Sequence, residues 1–82
     1  MSFNDTLAEI NMFAGHSNSA IAELAQKSVH YGQAMANGQL SQEEYVSLMG
    51  DLDTLKSMCQ IADEEAQVAR LFQAVMLLPM LL

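Results

Sequence analysis

Met35-Ala36-Asn37-Gly38-Gln39-Leu40-Ser41-Gln42-Glu43-Glu44-Tyr45 is the stretch that decides the fold. Asn-Gly tolerates positive φ, and a Gly just past a helix supplies a left-handed C-terminal cap. Ser41 with Glu44 three positions on forms a capping box, and Leu40 before it can pack on Tyr45 as a hydrophobic staple. One helix therefore ends near Ala36 and the next starts near Ser41.

Outward from that turn, apolar and small positions recur at alternating spacings of three and four. Before the turn they are Phe3, Leu7, Ile10, Ala14, Ser17, Ile21, Leu24, Ser28, Tyr31 and Met35; after it, Tyr45, Leu48, Leu52, Leu55, Cys59, Ala62, Ala66, Ala69, Gln73 and Met76. Seams of this kind predict coiled-coil-like packing. Folding the chain back at Gly38 sets Met35 against Tyr45, Leu24 against Leu55, Ile21 against Cys59, Ser17 against Ala62, Ala14 against Ala66 and Phe3 against Met76. The expected fold is all-α: a single two-helix antiparallel hairpin over 1–82, with helix 1 at about 4–36, the turn at 37–41, helix 2 at about 42–77 and an apolar tail at 78–82. Ser2, Asn4 and Thr6 are the candidate caps of helix 1. Gly15-His16-Ser17-Asn18-Ser19 is a run of weak helix formers and the place where that helix would break. Helix 2 should stop before Pro79. Unbroken, each helix of about 32 residues spans roughly 48 Å.

The 82 residues carry ten acids against Lys27, Lys56 and Arg70, a net charge of −7. Nucleic-acid binding needs clustered Lys and Arg, and attraction to an anionic membrane needs them too, so neither is expected. Cys59 is the one cysteine; it allows no intrachain disulfide and reads as a small core residue. The N-terminus lacks the basic and apolar regions of a signal peptide. No stretch reaches the roughly 18 apolar residues of a transmembrane helix. The expected location is a virion or the cytoplasm.

Catalytic groups are not grouped in the sequence. His16 and His30 lie about 21 Å apart on one helix and cannot share a metal. Asp51, Asp53 and Asp63-Glu64-Glu65 read as solvated faces, because a binuclear carboxylate centre needs Glu-x-x-His motifs that are absent. No Gly-rich phosphate loop, Ser/His/Asp set or Cys-x-x-Cys pair occurs. The expectation is a protein that is not an enzyme, with no cofactor and no metal.

A two-helix rod leaves a second apolar face uncovered. Ile61, Val68, Leu71, Phe72, Val75 and Leu78 lie off the seam, Met12 and Phe13 share their end of the rod, and the chain finishes Met76-Leu77-Leu78-Pro79-Met80-Leu81-Leu82. Large exposed apolar patches mark interaction surfaces. Phe13, Val68, Leu71, Phe72, Val75, Leu77, Leu78, Met80, Leu81 and Leu82 are therefore the expected partner-binding residues. The competing reading folds the tail back as a cap on the hairpin core.

The turn Gly38-Gln39-Leu40-Ser41-Gln42-Glu43-Glu44-Tyr45, followed by Leu48 and Asp51-Leu52, resembles one met in short helical proteins of tailed bacteriophages. The resemblance covers about 15 residues, roughly 38–52. It implies a virion or assembly role and assigns no functional residue. Together these features predict a non-enzymatic structural or adaptor subunit that docks by its apolar C-terminal end onto other subunits, identical or different, of a larger assembly. A small chaperone or regulator shielding a partner helix, and a peripheral membrane protein anchored by its tail, are the alternatives.

Overall fold

The structure, a computed structural model, describes residues 2–50 and 65–82. Every element among them is helical. In chain order they are α1 (Phe3–Met12), a 3-10 turn (Phe13–Gly15), α2 (Ser19–Ala36), α3 (Gln42–Gly50), α4 (Glu65–Leu77) and a C-terminal 3-10 turn (Leu78–Leu81). The principal extents are 36 × 24 × 18 Å. The all-α expectation holds. The pair of long helices does not: four α-helices among the described residues replace it, and the molecule is shorter than a 48 Å rod.

Local chemistry explains where each helix begins and ends. Ser2 starts α1 with a capping box: its Oγ accepts from the Asp5 amide at 3.2 Å, and its own amide donates to Asp5 Oδ2 at 3.4 Å. The expected helix over 4–36 is broken at the run of weak helix formers. His16 is extended (φ −61°, ψ 146°), and its Nδ1 accepts from the Asn18 amide at 2.9 Å. Asn18 then caps α2 by accepting from the amides of Ala20 and Ile21. Two side chains thus supply backbone partners that an unbroken helix would not need, which is how His and Asn compete with helix continuation.

The turn after α2 uses the residues that the sequence singles out. Gly38 has φ 77°. Its amide donates to Met35 O at 3.1 Å and the Gln39 amide donates to Ala34 O at 2.8 Å, the paired bonds of a Schellman motif. Ser41 Oγ accepts from the Glu44 amide at 3.0 Å and Glu44 Oε1 accepts from the Ser41 amide at 3.1 Å.

Breaking the first helix lets α1 fold against α2, and α4 then packs on both. The core joins Ile10 of α1, Ile21, Leu24, Ala25 and Met35 of α2, Tyr45 and Met49 of α3, Val68, Leu71, Ala74 and Val75 of α4, and Leu78. This corrects the register of the second half. In α4 the expected seam, Ala66, Ala69, Gln73 and Met76, faces solvent, while the off-seam stripe Val68, Leu71, Val75 and Leu78 is buried. The larger side chains face inward because two helices, not one, are present to cover them. Expectations for Asp51, Leu52, Asp53, Leu55, Lys56, Cys59, Ile61, Ala62 and Asp63-Glu64, and for the side chain of Glu65, lie outside the described residues.

At Gly32 of α2, side chains from α1 and the C-terminal turn come close to the helix backbone. A Cβ there would stand 2.7 Å from Leu78 Cδ2 and 3.2 Å from Leu7 Cδ1, whereas a Cβ on Gly15 would meet nothing within 4 Å. Gly32→Val should lower unfolding free energy by about 1–3 kcal/mol through overpacking. Gly15→Ala should stay within about 0.5 kcal/mol of the parent. Denaturant melts of both variants check this contrast. Thr6 is fully buried, and its Oγ1 makes no hydrogen bond among the described residues. Thr6→Val keeps the shape and removes that unpaired hydroxyl, so it should raise stability by about 1 kcal/mol in the same assay.

Candidate interaction surface

The C-terminal turn folds back onto the bundle. Leu78 and Pro79 are buried, which corrects the expectation of a free tail: the competing reading, a tail that caps the core, describes these two residues. Of the ten expected partner-binding residues, Val68, Leu71, Val75 and Leu78 belong to the core and are not available on the surface. Phe13 and Phe72 are partly buried against that core, and Leu81 is half-buried. Leu77, Met80 and Leu82 remain exposed.

Between α3 and the C-terminal turn runs an open groove of about 520 Å³. Gln42, Glu43, Val46 and Ser47 form one wall; Met76, Pro79 and Met80 form the other. Its surface is almost wholly apolar. Val46 is 41 % exposed, Met76 46 % and Met80 79 %. The sequence reading missed Val46 and put Met76 on the inner seam. Met76 follows once Val68, Leu71, Val75 and Leu78 are read as the buried stripe, because Met76 and Met80 then fall outside it.

The Tyr45 hydroxyl holds the two walls together. Tyr45 is fully buried on the inner side of α3. Its hydroxyl donates to the Val75 carbonyl at 3.0 Å. A helical carbonyl at position 75 would ordinarily receive the amide of residue 79, and Pro79 has none. The phenol supplies the proton that proline lacks. Because its single hydrogen is given to Val75, the 2.8 Å contact with Ser28 is donated by Ser28 Oγ. One hydroxyl thereby joins α2, α3 and the end of α4. Desolvation raises the Tyr45 pKa from 10.0 to about 12, with the Ser28 bond acting in the opposite direction.

At the other end of α4, polar side chains tie it to α1 and the corner. Arg70 Nε donates to Glu9 Oε1 at 2.6 Å, but the Arg70 side chain is 67 % exposed, so the pair adds little stability. His16 Nε2 and Gln67 Oε1 are 2.8 Å apart. With Nδ1 accepting from Asn18, Nε2 carries the proton and donates to Gln67. These bonds position helices. Among the described residues, no three His, Cys, Asp or Glu side chains converge to hold a metal ion, and no helix is long and apolar enough to cross a membrane.

Tyr45→Phe should cost about 1–3 kcal/mol, since it leaves Ser28 Oγ and the Val75 carbonyl without their buried partner. The raised pKa adds a pH signature. The fold favours the neutral phenol, so the Tyr45 contribution is intact below pH 10 and is lost as pH rises from about 10 to about 12. That loss amounts to about 2–3 kcal/mol at most. Urea melts across this range should show the decline in the parent, and Tyr45→Phe should lack that share of it.

Comparison of the chain with protein-family models, with curated proteins and with solved structures finds no match.

Proposed function

We propose that this chain is a non-enzymatic structural or adaptor subunit that docks by its C-terminal end into a larger protein assembly. The observation that carries the reading is the apolar groove formed by Val46, Met76, Pro79 and Met80. Its walls rest on a packed interior, so the surface exists before a partner arrives. Leu78 anchors the turn from inside, and the Tyr45–Val75 bond fixes α3 beside it. A pre-arranged surface saves ordering cost on association. Burying the exposed parts of Val46, Met76 and Met80 would contribute on the order of 1–2 kcal/mol each before those costs. The docking residues therefore differ from the expected set: Met80 stays, Val46 and Met76 join it, and the core residues leave it. A bacteriophage particle as the assembly rests on the turn resemblance over about residues 38–52.

The test uses the full chain carrying Val46→Glu and Met80→Glu together. Both side chains point into solvent-accessible space, so circular dichroism and thermal melting should stay close to the parent. A charge placed in a docking contact has no partner and should abolish association. Purified from its native source, the tagged parent should bring defined protein chains in fixed ratio by mass spectrometry, and the double variant should not. Co-purification unchanged by the two glutamates would overturn the reading. So would flotation of the parent with neutral liposomes, which would make the groove a membrane contact.

A further inference from the structure

We propose that the groove between α3 and the C-terminal turn takes an amphipathic helix of a partner protein with basic residues beside its apolar face. This rests on the docking reading above and names its occupant. Two features of the groove select it. The first is the lining. Met76 and Met80 provide most of the exposed apolar surface of one wall. Unbranched thioether side chains adjust to the shape of what they receive, and surfaces built from them accept the anchors of an apolar helix face at i, i+3 or i+4.

The second is charge. Among the described residues, Glu43 is the ionic side chain in the lining, and no Lys, Arg or His joins it there. Glu44 beside it is engaged by the Ser41 amide, whereas Glu43 stands exposed at the lip. The whole chain carries −7. A second copy would bring another Glu43 and another net charge of −7 toward this face, and like charges across an interface disfavour a pairing. A Lys or Arg on the partner meets Glu43 instead and is drawn in by the field of the chain.

Two synthetic peptides of about 14 residues, roughly 21 Å as helices, separate the components. Both carry the same leucine face; one has lysines on its polar face and the other glutamates. Fluorescence anisotropy with the full chain should show binding of the Leu/Lys peptide. Val46→Ser and Met80→Ser should each weaken it roughly tenfold, and Glu43→Lys should weaken it while improving the Leu/Glu peptide. Circular dichroism of each variant confirms that the fold is kept. Leu/Lys binding that ignores both serine variants is charge attraction outside the groove and overturns the proposal. Equal binding of the Leu/Glu peptide with the same Met80 dependence overturns the basic helix and leaves docking by the groove intact. Dimerisation of the parent that Met80→Ser abolishes assigns the groove to a second copy and overturns it as well. Absence of both peptide binding and self-association removes the basic helix as occupant, while the docking reading stands or falls separately with the co-purification of the Val46→Glu, Met80→Glu chain.

Discussion

Pro79 withholds an amide from the carbonyl of Val75, and the rest of the structure depends on how that carbonyl is satisfied. A helix end inside a bundle cannot leave it bare, because an unpaired buried polar group costs as much as a lost hydrogen bond. The hydroxyl of Tyr45 reaches it from α3. The same oxygen accepts from Ser28 on α2. Three elements distant in sequence are therefore fixed by one buried atom, and the position of α3 against the C-terminal turn follows. That position makes the groove.

The second constraint is size. A chain of 82 residues buries a modest share of its surface, and two long helices alone would leave half of each exposed. Breaking the first helix at Phe13–Asn18 converts two layers into a bundle. The break gives up a few helical hydrogen bonds, which the His16 and Asn18 side chains partly replace. In return, α1 and α2 together cover Leu71, Val75 and Leu78. Gly32 lets Leu78 and Leu7 approach α2 by having no side chain of its own.

Local signals were legible in the sequence, and long-range ones were not. Asn37-Gly38 and the Ser41/Glu44 box form the turn that their chemistry requires, because such motifs depend only on residues within a few positions. The heptad reading works for α2, where Ile21, Leu24, Ser28 and Met35 are buried. It fails in α4. There two stripes compete, a regular one at Ala66, Ala69 and Gln73 and a more apolar one at Val68, Leu71 and Val75. Spacing alone ranks the first; the area to be buried ranks the second, and the choice hinges on whether α1 folds back. The break at Gly15–Asn18 thus decides both the fold and the surface. Reading it as one continuous helix put Leu78 on the outside and Met76 on the inner seam, and left Val46 unremarked. The Tyr45–Val75 bond joins residues far apart in sequence, and only the missing proline amide hinted at it.

The fold-back of both chain ends onto α2 is the claim on which the groove and its function stand. Its most direct measurement is a proton NOE experiment on selectively methyl-labelled Leu78. The bundle predicts cross-peaks from the Leu78 methyls to the Gly32 α-protons and to the Leu7 methyls. In a long two-helix hairpin, Gly32 would lie near the turn and Leu78 at the far end, so cross-peaks from Leu78 to Phe3 without any to Gly32 would contradict the account.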